Sequence, residues 1–282
     1  MRLGVGLTFD REDPEEMART YRMAGYSAAV CPPVTLTEPE RVTAIREAFA
    51  KYDVMLAEVG VWNNMLDLDE AQRAANMQAN VDKLALSEEI GARCCVNIAG
   101  SFNLDRWDGP HPHNLSEEAF ELTVQHVRYI IDTVKPTRTV YSLETMPWVI
   151  PDSVDSYLHL IEAVARPQFG VHLDPVNMIN CPARYYDNAV FLRDCFARLG
   201  PWIVSCHAKD IHMSDTLTVH LDEVRPGLGT LNYNVFLIEL NKLTGDVPLI
   251  LEHLPEEEYA SAREYVLGVA DGLGIVFYQP TG

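Results

Sequence analysis

The sequence is poor in basic residues. Its 282 residues hold 22 Lys and Arg against 41 Asp and Glu, a formal net charge of −19. Nucleic acids and anionic membranes are gripped by basic patches, so this imbalance argues against both as partners. It favours solubility, which is a sufficient reason for it. Long apolar runs are missing as well. No segment approaches the roughly 18 apolar residues of a membrane span. The opening residues, MRLGVGLTFD, have neither the apolar core nor the cleavage site of an export signal. Cytoplasmic location is the expectation. The six cysteines, at 31, 94, 95, 181, 195 and 206, form no C-x-x-C pair. A chain this large needs no covalent staples, so reduced and mostly buried thiols are expected. Low-complexity stretches and domain linkers are also lacking, and one domain spanning residues 1–282 is expected.

What remains is an ordinary globular composition, 48% hydrophobic and 22% charged. Short apolar strands alternate with longer amphipathic segments. Strands are predicted at Leu3–Thr8, Ser27–Cys31, Val54–Gly60, Arg93–Ile98, Thr139–Glu144, Phe169–Asp174, Trp202–His207 and Pro248–Glu252. Helices are predicted at Glu15–Ala24, Pro39–Lys51, Asp69–Ile90, Ser116–Val134, Val154–Val164, Tyr185–Arg198, Leu231–Leu243 and Glu256–Leu273. Pro14 suits the first turn of one helix and Gly91 the end of another. Alternating β and α units with apolar strands imply a parallel sheet covered on both faces. Eight such units close as a (β/α)₈ barrel, for which about 250 residues is typical. The alternative, a doubly wound open sheet, calls for a glycine-rich turn after the first strand, and Leu7-Thr8-Phe9-Asp10 is not one. Two connections, Ala99–Leu115 and Ala208–Thr230, are longer than packing requires. Both follow strands, on the face where barrel enzymes carry their sites.

Four consecutive strands end alike, in an apolar run followed by a metal-capable side chain. They are YSLE ending at Glu144, VHLD at Asp174, VSCH at His207 and LILE at Glu252. In a barrel these ends form one arc at the top. Three carboxylates held close repel one another, and a divalent cation relieves that repulsion. Oxygen ligands with one imidazole and no thiolate suit one Mn²⁺, Mg²⁺ or Co²⁺ per chain, with Mn²⁺ placed first. Any one of these acids alone would read as a strand end facing water. Four in succession point to a metal site.

These residues lie in LETMPW (143–148), HLDPVN (172–177), CHAKD (206–210), RPGLGTLNY (225–233) and LEH (251–253). With them the chain resembles the sugar phosphate isomerase/epimerase family of xylose isomerase-like TIM barrels, which includes ketose 3-epimerases. The resemblance implies a single (β/α)₈ barrel and a cation held by Glu144, Asp174, His207 and Glu252. It implies that Glu144 and Glu252 are the acid/base pair, passing a proton through an enediolate, with a small sugar as substrate. It leaves room for a homo-oligomer. Two positions depart from the epimerase pattern. Asn177 replaces a His three residues after the aspartate, and Met213 replaces an Arg six residues after the metal His. Elimination or decarboxylation of a keto-sugar or oxidised glycoside uses the same enolate step and is the alternative.

Further residues are candidates for substrate contact. Trp62, beside Asn63, and Trp148 offer aromatic faces to a sugar ring, and both also suit core packing. Asn97 ends the fourth strand and can bond a hydroxyl or cap a loop. Asn177 can do the former. Lys209 can reach substrate or pair with Asp210. Arg225, before Pro226-Gly227-Leu228-Gly229, can bind an anion or lie at the surface. His111, His113 and His212 read as solvated loop residues. His172 shares the parity of Asp174 and is a supporting group, a substrate contact or a core histidine. His253 points opposite to Glu252 by strand parity and reads as structural. Two further readings are kept. A sugar-binding barrel without catalysis is opposed by the intact ligand set. A base-excision endonuclease on this fold is opposed by the acidic charge and the single strand-end His.

Overall fold

The computed structural model describes residues 1–9 and 12–278, so Asp10 of the stretch Leu7-Thr8-Phe9-Asp10 lies outside the described residues. Eight parallel strands close into a barrel. In chain order they are β1 (Arg2–Val5), β2 (Ala28–Val30), β3 (Met55–Gly60), β4 (Cys94–Asn97), β5 (Val140–Glu144), β6 (Phe169–Leu173), β7 (Ile203–Ala208) and, after an inserted hairpin, β10 (Pro248–Leu251). The hairpin strands are β8 (Asp210–Ser214) and β9 (His220–Val224), paired antiparallel outside the barrel. β5, β6, β7 and β10 are consecutive neighbours, and β10 closes against β1. Register sets Glu144 beside His172, and His207 beside Ile250.

The helices are α1 (Pro14–Met23), α2 (Pro39–Lys51), α3 (Glu70–Ile90), α4 (Glu117–Val134), α5 (Val154–Val164), α6 (Pro175–Met178), α7 (Pro182–Tyr186), α8 (Asn188–Leu199), α9 (Tyr233–Asn241) and α10 (Tyr259–Gly272). Their ends follow local chemistry. The Asp69 carboxylate accepts from the N–H of Ala71 and Gln72 at the start of α3, and Gly91, at φ +78°, ends it. Ser153 and Ser156 cap α5 reciprocally. The stretch expected as one helix from Tyr185 is instead α7 and α8, broken at Asp187, whose backbone is not helical. The connection Ala208–Thr230 holds the hairpin, which its short, half-polar strands did not announce.

The core fills the barrel and the layer beneath the helices. One polar device lies within it. The Tyr157 hydroxyl is 2.6 Å from Leu143 O and 3.0 Å from Gly170 O. It also accepts the N–H groups of Leu143 and His172, each at 3.3 Å. It therefore braces β5 against β6, the strands that carry Glu144 and lead into Asp174. No helix among the described residues is long and apolar enough to cross a membrane.

Candidate functional site

Each of the four strand-end residues sits where its strand leaves the sheet, and the barrel brings them together. One ligand-capable atom from each of Glu144, Asp174, His207 and Glu252 lies within 4.8 Å of the others. His207 Nδ1 is 3.0 Å from Glu144 Oε1, 2.7 Å from Glu252 Oε1 and 3.8 Å from Asp174 Oδ2. Asp174 also caps α6, its Oδ1 accepting from the N–H of Val176 and Asn177. One carboxylate thus fixes a turn with one oxygen and faces the site with the other.

Lys209 does not pair with Asp210. Its Nζ enters the acidic group, 2.8 Å from both Asp174 Oδ2 and Glu252 Oε1, and it is 2% exposed. Asp210 instead gathers backbone, accepting from Ile211 N at 2.8 Å, Leu231 N at 2.8 Å, Gly227 N at 2.9 Å and Gly229 N at 3.1 Å. A Cβ at Gly229 would stand 2.3 Å from Asp210 Oδ1, so the RPGLGTL loop requires glycine there. This loop closes behind the hairpin and fixes its base.

Charges in the group act on one another. Burial opposes ionisation of Glu144, but His207 and then Lys209 outweigh it and hold the carboxyl below its ordinary range. Glu252 is held well below that range: burial raises it, and His207 and Lys209 lower it further. Burial dominates at Asp174 and lifts it to about 6. Burial works against charge on His207, yet Glu252, Glu144 and Glu58 raise its pKa well above the ordinary value. Three carboxylates against one ammonium and one imidazolium leave one negative charge, and two once the imidazole gives up its proton to bind a divalent cation. The buried oxygens Asp174 Oδ2 and Glu252 Oε1 have no hydrogen-bond partner of good geometry. Both lie 2.8 Å from Lys209 Nζ instead, and a donor set of three crowded carboxylates and one imidazole fits an oxygen-preferring divalent ion.

Sequence reasoning missed Glu58. It lies within β3, fully buried, with Oε2 2.6 Å from His172 Nε2 and Oε1 3.4 Å from His207 Nε2. Glu58 thereby addresses the ring nitrogen of His207 opposite to Nδ1, the arrangement by which a carboxylate fixes the tautomer of a metal-binding imidazole. Burial raises its pKa, but His172 and His207 bring it down to about 2. The available signal was a lone acid in the otherwise apolar run VMLAEVG. His172 is fully buried and bound to Glu58, so it supports the site from beneath.

The other candidates divide. A cavity of about 540 Å³ opens at the top of the barrel, lined by Trp62, Trp107, Glu58, Glu252 and His253 among others. Trp62, at φ +53°, stands with its ring 6.5 Å from that of His207. The Asn177 amide donates to Glu144 Oε1 at 3.2 Å. Trp148 is absent from the cavity lining, and its indole N–H donates to Asp108 O at 2.7 Å, tying down the long 99–115 loop. Asn97 is buried, accepting from Asn63 N and donating to Asn63 and Asn80, so it orders the loop after β3 and does not face the cavity. Arg225 turns to Glu258 at 3.4 Å and to Pro226 O, away from the cavity. Met213 packs half-buried on the core. His111 and His113 lie beside Phe102, and His212 is exposed.

Comparison with known proteins agrees with this architecture. A magnesium complex of a xylose isomerase-like TIM barrel protein from Mycobacterium smegmatis superposes with a TM-score of 0.67 at 17% identity, over 92% of this chain and 88% of that one. A probable 3-DHS dehydratase involved in petrobactin synthesis in Bacillus anthracis gives 0.71 at 15%, over 96% and 99%. D-psicose 3-epimerase with D-tagatose, from Clostridium cellulolyticum H10, gives 0.66 at 11%, over 99% and 100%. At these identities the likeness is one of fold. No curated protein sequence matches the chain. Residues 22–267 match the family described as xylose isomerase-like TIM barrel, and with its closed eight-stranded barrel the chain belongs to that family.

Proposed function

We propose that this chain is a divalent-cation-dependent sugar isomerase or epimerase that moves a proton beside the carbonyl of a ketose or keto-sugar derivative. The observation that carries the reading is the placement of Glu144 and Glu252 on one imidazole nitrogen, with the cavity opening onto Glu252. Glu144, Asp174, His207 and Glu252 would hold the cation, Mn²⁺ before Mg²⁺ or Co²⁺. When bound it would supply positive charge next to the developing enediolate oxygens, an effect of several kcal/mol in such sites.

The chain's own residues do the rest. One of Glu144 and Glu252 takes the proton and the other returns one to the opposite face. His207 and Asp174 act as ligands, and Glu58 holds the His207 ring. Asn177 keeps Glu144 in place through its amide, and Trp62 presents a face to the sugar. Lys209 supports a second reading, a lyase of a keto-sugar or oxidised glycoside. Its ammonium, 2.8 Å from Glu252 Oε1, would be the proton donor to a leaving oxygen in that reading. One of the structural neighbours is itself described as a probable dehydratase.

The test is metal content by mass spectrometry on untagged protein, followed by incubation with a panel of keto-sugars in D₂O. About one divalent ion per chain, with deuterium entering a substrate whose mass is otherwise conserved, is the expected result. Release of a fragment selects the lyase reading. Protein that holds no ion and is not stabilised by added Mn²⁺ refutes both.

A further inference from the structure

His253 follows Glu252 just beyond β10, where strand alternation directs its side chain away from the cavity. The structure corrects that expectation. His253 has φ +56°, a left-handed conformation that is costly for a residue with a Cβ. The turn brings its imidazole to the cavity rim, where it shares the lining with Glu252 and Trp62. The side chain is 60% exposed, so core packing does not account for the turn.

The hairpin supplies the rest of the arrangement. Glu223, on β9, places Oε1 3.3 Å from His253 Nδ1 and Oε2 3.6 Å from Lys209 Nζ. With Nδ1 engaged by Glu223, the other nitrogen, Nε2, lies 3.9 Å from Glu252 Oε1 on the cavity side. The base of the hairpin is fixed by the Asp210 contacts, so the position of Glu223 is set by the same loop that closes the top of the barrel.

We propose that His253 is a substrate-orienting residue, its Nε2 hydrogen-bonding a hydroxyl next to the carbon at which Glu252 acts, with the ring aimed by Glu223. The proposal rests on reading the cavity as a sugar site. A hydroxyl both donates and accepts, so the contact forms whether or not the imidazole carries a second proton. The ligand chemistry is that of a polyol.

Two substitutions separate the backbone turn from the imidazole. His253→Gly keeps the left-handed conformation without strain and deletes the ring, and His253→Asn keeps the conformation and a short polar group. Wild type, both variants and Glu223→Gln are loaded with Mn²⁺, read by electron paramagnetic resonance, and titrated calorimetrically with D-sorbitol and methyl β-D-glucoside. Mn²⁺ affinity is expected to match wild type in both His253 variants. Polyol affinity is expected to fall about five- to tenfold in His253→Gly, the worth of one hydrogen bond, and to recover in part in His253→Asn. Glu223→Gln is expected to lie between them. Equal polyol affinity in wild type and His253→Gly overturns the proposal, and so does a wild type that takes Mn²⁺ but neither polyol. A wild type that takes no Mn²⁺ overturns the underlying reading of the site, and the role of His253 falls with it.

Discussion

His207 belongs to two clusters that use the same kinds of side chain to different ends. Beneath it, Glu58 lies between two imidazoles, with one oxygen near each. Above it, three carboxylates share His207 Nδ1 and Lys209. Both sets bring their ligand-capable atoms within 4.8 Å, so proximity does not separate them. Charge does. The lower set matches one carboxylate to two nitrogens and forms a bond of 2.6 Å, leaving His172 Nδ1 without a hydrogen-bond partner but no excess of negative charge. The upper set crowds three carboxylates onto one ammonium and one imidazole nitrogen, and Asp174 Oδ2 and Glu252 Oε1 share the same Lys209 Nζ. Burying an unmatched charge is costly, and it is retained where a ligand supplies the counter-charge. On the proposed function the upper set is the cation site, and the lower set is its mount.

Asp174→Asn breaks the upper set directly and carries the largest expected effect. Asn retains an oxygen to cap α6, so the fold is kept while a charged donor is lost. Mn²⁺ affinity is expected to drop more than about 100-fold, beyond the roughly 10–100-fold attributed to outer partners of a ligand. Calorimetric titration checks it, and a drop below tenfold would remove Asp174 from the ligand set. Glu58→Gln breaks the lower set and should fall inside that 10–100-fold range. The Gln amide can donate to His207 Nε2 but cannot hold a proton there as the carboxylate does, so the ring nitrogen shifts of His207 in ¹⁵N NMR should change as well. Unchanged metal affinity with unchanged shifts would reduce Glu58 to a core residue.

The upper set was legible in the sequence and the lower one was not, and the reason is positional. Glu144, Asp174, His207 and Glu252 each end an apolar run at a boundary that strand length and parity locate, and eight β–α units fix which ends are neighbours. Glu58 lies inside a strand, and nothing along the chain indicates that the residue facing it across the barrel is His172. His253 was misread for a related reason. Parity holds only while the strand continues, and the left-handed turn immediately after Glu252 reverses it. The hairpin was hidden because DIHMS and HLDEV are short and half polar, while Asn97 and Arg225 had partners, Asn80 and Glu258, that only tertiary structure reveals.

The smallest expected effect is a pH dependence confined to the upper set. Burial raises Asp174 from its ordinary value of 3.8 to about 6, so the folded protein resists its ionisation more than the unfolded chain does. The sign follows from linkage. A carboxyl whose folded-state pKa is raised binds its proton more tightly in the folded state, and without a cation it loses stability as pH rises from about 4 to about 6. A cation binds only the ionised carboxylate and reverses that loss. The rise in Tm on adding Mn²⁺ should therefore be small below about pH 5 and step up through about pH 6 as Asp174 ionises, with a further rise at higher pH as the ion displaces the proton of His207. Glu58, already held near 2 by its histidines, contributes nothing to this window. Differential scanning fluorimetry with and without Mn²⁺ across that range measures the difference. In Asp174→Asn the step near pH 6 should vanish with the carboxyl that causes it. A step that survives the substitution would belong to another group, and Asp174 would lose its place as the proton-competing ligand of the site.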